Sequence, residues 1–436
     1  MNVNVQSWIK VCSFMLSTSV QQPSGKLLQV HLSSIHLDRL VSIPPAFECE
    51  VCVIVPVRDE AELLEPCLTA LLNQVDLQNK RLDPRRYEVI VFANNCRDHS
   101  AAIARQFGRQ HPEFRLHVVE RHLAPADAYI GRVRQLLTDE AHRRLMSLRR
   151  QRGIIASTDG DTQVAPNWIA ANQHEIDQGA DAVGGQIISD RLSLSQLTPT
   201  VRLSYWRSVY YHHLKVKLES YLDADPINCW PRHHHNYGAS LAVTAEMYAK
   251  AGGMPNVRTP EDVEFCKALL RIDAQFRHSP RVRVVTSARQ EGRTEMGFAN
   301  QLVQWKAMGE QAHLVESLGA LETRFRTRRH LRMLWQHALN GYPIQLEEIK
   351  DAAYTLGISG YWLQNELKRA WTFGVLSERI EQQQEQEGIW GSRWALVELE
   401  SAIDSLRRRT YWLYKNQLEM SLEHPKYEHY EQQVSN

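Results

Sequence analysis

Two carboxylates separated by one glycine stand in the run Ser157-Thr158-Asp159-Gly160-Asp161-Thr162, directly after the apolar residues Ile154, Ile155 and Ala156. On an extended chain residues i and i+2 point the same way, so Asp159 and Asp161 can converge on one ligand. The glycine lets the backbone turn tightly and leaves room for a bulky group. Two carboxylates with substrate phosphates are a common way to hold Mg2+ or Mn2+, water filling the other positions. A ligand-free turn rich in Asp and Gly would have the same sequence. A second acidic pair, Glu261-Asp262, follows Thr259-Pro260 and opens the apolar stretch Val263, Phe265, Cys266, Leu269 and Leu270. Thr at the N-cap, Pro at the first helical position and acids in the first turn are what any helix start prefers. The chemical alternative is a carboxylate held rigidly beside a metal–nucleotide site, where it could take a proton. Asp59-Glu60 and Asp98 stand at helix starts in the same way.

Other clusters are less specific. His233, His234 and His235, with His212 and His213 nearby, could supply a metal ligand, but consecutive side chains diverge and three adjacent histidines rarely share one ion. Tyr205, Trp206, Tyr210, Tyr211, Tyr221 and Trp230 suit sugar stacking or an ordinary core helix. Residues 286–293 hold Arg289 and Arg293 beside Gly292, which fits a loop closing on pyrophosphate or a basic surface loop. Cys49 and Cys52 form a C-x-x-C inside a strand-like run, where residues three apart face opposite ways, so neither shared metal nor redox pairing is expected.

The elements that must position these residues follow from periodicity. Residues 51–55 are a continuous apolar run ended by Pro56, the pattern of a strand buried on both faces. A helix is expected over residues 60–75, with Leu64, Leu68 and Leu71 on one stripe. Strands are expected at 89–93, 117–119, 154–157 and 182–188, with helices from about 98, through 132–150 and from about 166. This alternation predicts a mostly parallel α/β sheet. Later strands are expected at 239–243 and 282–285. Beyond residue 309 only helical patterns remain, ending in an amphipathic helix marked by Leu396, Leu399, Ile403, Leu406 and Leu413. The expected division is an irregular extension over 1–47, an α/β domain over 48–309 and a helical region over 310–436.

The 436 residues carry 51 Lys+Arg against 50 Asp+Glu, a formal charge of +1, which argues against a nucleic-acid partner. Hydrophobic residues at 43% and charged residues at 23% fit a globular chain rather than a disordered or disulfide-stapled one. No apolar run reaches the roughly 18 residues of a membrane span. The apolar stretch from Val11 to Leu16 is read as part of an extension rather than a signal peptide. Seven cysteines, an odd number, suggest a reducing compartment. The expected location is the cytoplasm, free or on the inner face of a membrane. The arginines at 324, 326, 328, 329 and 332 are read as a solvated helix face, with membrane-surface contact as the alternative. Self-association through the last helix is a further expectation.

The runs VIVPVRDE (53–60), VIVFANNCRDHS (89–100), STDGDT, AVGGQI, YGASLAVTAEMYAKAGGMP (237–255) and PEDVEF stand in an order that resembles family 2 glycosyltransferases over about residues 50–300. The resemblance implies the GT-A nucleotide-diphospho-sugar transferase fold. It implies that Pro56, Arg58, Asp59 and Glu60 form a first loop at the base and ribose of a nucleotide sugar, and Asn94, Asn95 and Asp98 a second. Arg134 resembles a basic residue that approaches the nucleotide. Asp159 and Asp161 match the motif that holds Mn2+ or Mg2+ and the diphosphate. Residues 238–240 resemble the strand on the acceptor side, and Glu261-Asp262 the catalytic pair, with Asp262 as base. One departure concerns Ala93, which stands where the family commonly has an acid that reads uracil. A UDP-sugar is the first expectation for the donor and a GDP-sugar the second; the acceptor is open. The implied reaction is metal-dependent transfer with inversion. The alternatives are a retaining transferase, a sugar nucleotidyltransferase, or a catalytically silent binding or scaffold member.

Overall fold

The computed structural model describes residues 39–288, 298–308 and 313–423, without the side chains of 298, 308 and 418–423. Most of the expected N-terminal extension, Cys12 and the arginine-bearing residues 289–293 lie outside them. The chain divides into two compact units that interleave in sequence. The first comprises Met1–Leu197, His235–Gln304 and Ala370–Gln383; the second comprises Thr198–His234, Trp305–Arg369 and Gln384–Asn436.

The first unit is built on an eight-stranded sheet: β1 Val51–Val57, β2 Tyr87–Asn94, β3 Leu116–Arg121, β4 Ile154–Ser157, β5 Thr162–Val164, β6 Ala182–Ser189, β7 Leu241–Thr244 and β8 Phe276–Thr286. Their order is β3-β2-β1-β4-β7-β6-β8-β5. The pairs β1–β2, β2–β3, β1–β4 and β6–β8 are parallel, and the three pairs made by β7 and β5 are antiparallel. The sheet is therefore mixed, parallel at most of its junctions. Every residue of β1 and β2 is buried, as their unbroken apolar runs require. The short β5 was invisible to periodicity because three residues hold barely one alternation.

One charge sits inside that buried pair. Glu88, 1% exposed on β2, accepts hydrogen bonds from Arg144 Nε (2.7 Å) and Nη2 (2.5 Å), and lies 3.2 Å from His117 Nε2. Burial opposes its ionisation, but the hydrogen bonds from Arg144 and His117 prevail and hold the carboxyl down at about 2. A polar knot fixes the helix Ile130–Ser147 from its other side. The Tyr248 hydroxyl donates to Asp139 Oδ1 (2.6 Å), accepts from Met254 N–H (3.1 Å) and lies 2.8 Å from Thr138 Oγ1.

The second unit is helical except for a short antiparallel pair, Leu314–Val315 with Val397–Glu398, which corrects the expectation of helices alone beyond residue 309; two residues are too few to show an alternation. Leu214, Leu218 and Leu222 of the helix Pro199–Leu222 pack with Leu321, Phe325, Leu399, Ala402 and Leu406. The expected terminal helix is present as Leu399–Glu423, its apolar seam spent on this core. In the arginine-rich stretch Arg326 and Arg329 are exposed, as expected of a solvated face, while Arg324, Arg328 and Arg332 are partly buried. Arg328 pairs with Glu219 and Asp223, Arg332 with Asp223 (2.5 Å) and Arg324 with Glu316 (2.6 Å). The Asp223 side chain has no solvent exposure, so Arg328 and Arg332 satisfy a buried acid. That acid stands about a hundred residues earlier, beyond the reach of any local pattern. Among the described residues no helix is long and apolar enough to cross a membrane.

Candidate functional site

The loops leaving β1, β2 and β4 at their carboxyl ends carry most of the residues singled out above, all within the first unit. In open α/β sheets this edge collects ligands. Asp59 and Asn95 both adopt positive φ, 54° and 50°, a region that Asp and Asn tolerate better than most residues. The two loops are cross-tied. Asp59 Oδ1 accepts the Arg97 N–H (2.6 Å), Asp98 Oδ2 accepts the Ala61 N–H (2.9 Å), and Ser100 Oγ accepts the Glu60 N–H (2.8 Å) while donating to Asp98 Oδ1 (2.6 Å). Ser100 is a site residue that the sequence reading missed. Asn95 exchanges two 3.0 Å hydrogen bonds with the backbone of Leu123, extending the β2–β3 edge. Arg58 is exposed and donates to the Ala128 carbonyl (3.2 Å). Asn94 is 4% exposed, and its Oδ1 has no hydrogen-bond partner among the described residues.

Asp59, Cys96 and Asp98 put ligand atoms within 4.8 Å of one another. The carboxylate oxygens there are used in closing the loops. Burial, with the charges of Asp98 and Asp59, raises the Cys96 thiol. This corner is a lock between two loops.

Arg134 occupies the centre of the site. Its side chain is 7% exposed, and it donates through Nη2 to Asp159 Oδ1 (2.5 Å) and through Nη1 to Glu261 Oε1 (2.5 Å), with Asp262 Oδ2 at 3.6 Å. Burial alone would weaken its charge, but the carboxylates of Asp159, Glu261 and Asp262 hold the guanidinium firmly protonated. Burial raises the Glu261 carboxyl to about 7, Asp262 and Asp159 adding to the shift and Arg134 opposing it. Asp262 Oδ2 also accepts the Gly238 N–H (2.8 Å) and Oδ1 accepts the Val263 N–H (2.8 Å). The helix Glu261–Arg271 starts after Pro260 with no side-chain cap, so Thr259 does not cap it, although Glu261 and Asp262 do stand in its first turn. The two acidic motifs, about a hundred residues apart in sequence, thus share one cation. On the turn at residues 238–240, Ser240 Oγ accepts the Trp168 Nε1–H (2.9 Å).

Asp159 and Asp161 offer carboxylate oxygens, which suit Mg2+ or Mn2+, with the Cys67 thiol donating to the Asp159 carbonyl (3.5 Å) and Arg134 holding Asp159 Oδ1. Ser157 Oγ and Thr158 Oγ1, just before Asp159, are buried without a hydrogen-bond partner among the described residues. The residues present therefore fit a hard cation with its phosphate ligands. The histidine run does not gather in this way. His235 accepts the Ile187 N–H at Nδ1 (3.0 Å) and burial pushes its imidazole down to about 4, while His234 stacks on His212 with centroids 4.3 Å apart.

Residues 52–231 match the model of glycosyl transferase family 2. That stretch is a family 2 glycosyltransferase sequence. The matched stretch takes in the loops after β1 and β2, Arg134 and Asp159-Gly160-Asp161; Glu261-Asp262 lies outside it. The glycosyltransferase AglE of Haloferax volcanii is 28% identical over 138 residues, covering 31% of this chain and 39% of that protein. The chain thus spans about two fifths of that curated relative. Among solved structures, S. aureus TarS 1-349 with UDP-GlcNAc aligns at 12% identity and TM-score 0.39 over 78% of this chain and 92% of that one. A mannosyltransferase from Pyrobaculum calidifontis with GDP-Man and Mn2+ aligns at 17% and 0.37, over 80% and 89%.

Proposed function

We propose that the protein is a metal-dependent, inverting glycosyltransferase that takes a sugar from a nucleotide diphosphate to an acceptor hydroxyl, with residues 48–309 as its catalytic region. The observation that carries this reading is the Arg134 bridge, which keeps the Asp159 carboxylate and the Glu261-Asp262 pair within one guanidinium of each other. Asp159 and Asp161 would hold the cation, which when bound supplies positive charge to the departing diphosphate. Arg134 adds a fixed charge to the same corner without reorganising during the reaction. Asp262, its two oxygens pinned by backbone N–H groups, is the base that takes the acceptor proton. Attack opposite the leaving group with one base inverts the anomeric carbon. The unpartnered Oδ1 of Asn94 suits an N–H on the edge of a base, a role the buried Ala93 has no side chain to fill. Uracil offers such a group and so does guanine, which keeps UDP-sugar first and GDP-sugar second.

The test is a thermal-shift screen against UDP, GDP, CDP and TDP, each with Mn2+ and with EDTA. A metal-dependent rise with one nucleotide, lost in Asp161→Ala, supports the reading. The same rise in EDTA would remove the metal from it.

A further inference from the structure

One face of the second unit is left without a role by that reading. On the helix Pro199–Leu222, Leu203 (48% exposed), Trp206 (53%), Val209 (37%) and Tyr210 (42%) follow at spacings of three, three and one, forming a single exposed stripe. The stripe runs on through contacts. Tyr210 stacks on His213, His213 meets the edge of Trp230 at 5.4 Å, and Lys217 lies 5.7 Å from the Trp230 ring and 5.8 Å from that of Tyr414. Tyr414 belongs to the helix Leu399–Glu423, whose outer side shows Tyr411 (67%) and Trp412 (52%), with Arg409 over the Trp412 ring at 4.5 Å and Arg408 exposed one turn before it. Ordinary surfaces do not collect this many large apolar side chains on one stripe.

Composition decides among occupants. Between Gln196 and Glu219 the chain has no Asp, Glu, Asn or Gln, yet it has Arg202, Arg207, Lys215 and Lys217; between Asp404 and Asn416 it again has no acid, with four basic residues. A sugar platform needs free acids or amides beside its aromatic rings to grip hydroxyls; the acids that reach this face, Glu400 and Glu322, are already engaged by Arg207 and Arg409. A nucleic-acid strand would gain nothing from Leu203 and Val209. Tyr and Trp rings with aliphatic side chains between them and long cations beside them suit the headgroup layer of a bilayer, where rings lie at the boundary and cations reach outward. We propose that this aromatic and basic face seats the protein on an anionic lipid surface, as a peripheral contact.

The experiment is co-sedimentation of the full chain with vesicles of phosphatidylcholine alone or with about a third phosphatidylglycerol, at low and high salt. Binding is expected to the anionic vesicles and to weaken with salt. Trp206→Ser with Tyr210→Ser should lower the bound fraction severalfold. Arg408→Glu should lower partitioning about fivefold or more, since each basic residue near such a surface contributes on that scale. These side chains are exposed, so thermal midpoints should not move, and Lys350→Glu on the helix Leu346–Leu356 should leave partitioning unchanged. Absence of sedimentation, binding indifferent to Trp206→Ser with Tyr210→Ser, or a dimer or single-stranded RNA complex broken by those same substitutions would each overturn the proposal. The readout needs no donor or acceptor, so it stands or falls apart from the transferase reading.

Discussion

A Cβ built on Gly238 would lie 1.9 Å from Nη1 and 2.0 Å from Cζ of Arg134. The backbone of residue 238 is packed directly against the guanidinium while its N–H holds Asp262. One glycine therefore touches both the shared cation and the expected base. Gly238→Ala must push Arg134 away from Asp159 and Glu261, and overpacking of this kind costs about 1–3 kcal/mol. We expect a lower thermal midpoint and a loss of metal-dependent nucleotide binding, both measurable by differential scanning fluorimetry. A variant that binds and melts like the parent would mean that Arg134 can retreat without consequence.

The base and the cation site should separate kinetically. Asp262→Asn keeps a side chain able to meet the Gly238 N–H, so nucleotide affinity should stay within a few-fold. Release of nucleoside diphosphate from the donor should fall by roughly 10²–10⁴. Transfer that survives would pass the role of base to another group.

Glu88 makes a pH prediction with a definite sign. Its carboxyl is held at about 2 in the folded chain against 4.5 for the ordinary group. The stabilisation is present in full above about pH 4.5 and drains away as pH falls toward 2. Glu88→Gln leaves the fully buried Arg144 with only Glu140, 3.9 Å away, as counter-charge and should cost about 3 kcal/mol at neutral pH. Urea midpoints of the two proteins should converge between pH 5 and 2.5. A constant gap would show that Glu88 does not titrate there.

Two substitutions in the second unit should differ sharply. Asp223→Asn removes the buried acid that receives Arg328 and Arg332 and should cost about 3–5 kcal/mol. Arg326→Ala breaks an exposed pair with Glu322 and should change stability by less than about 1 kcal/mol. Equilibrium unfolding in urea measures both.

Tyr248→Phe removes a buried hydroxyl with three partners and should destabilise by about 1–3 kcal/mol, read as a fall in thermal midpoint. An unchanged midpoint would make Tyr248 a packing residue only.

The sheet and the acidic motifs were legible because their signals are local. An apolar run such as residues 51–55 needs no partner to be recognised, and Asp159-Gly160-Asp161 announces itself by spacing alone. What escaped was long-range. Arg134 was expected beside the nucleotide, but its carboxylate partners include Glu261, 127 residues away. Arg328 and Arg332 looked like members of an open cationic face because Asp223 was out of view. Local preference misled once: Thr259 has the right type and place for a cap, yet the helix begins after Pro260 without it. The aromatic residues from Tyr205 to Tyr211 divide between core and surface, since Tyr205 and Tyr211 are buried while Trp206 and Tyr210 are exposed; composition alone cannot make that division.

The first unit takes back residues 370–383 after a long excursion of the chain through the second. Asp273 accepts the Phe373 and Gly374 N–H groups (2.8 and 2.7 Å), Arg271 pairs with Glu378, and a Cβ on Gly374 would stand 1.8 Å from the Leu270 carbonyl oxygen. During synthesis, then, the sheet can assemble long before its last helix leaves the ribosome. Until then the end of the helix Glu261–Arg271 waits uncovered, a surface that a chaperone could hold and that a chain released at residue 309 would never close.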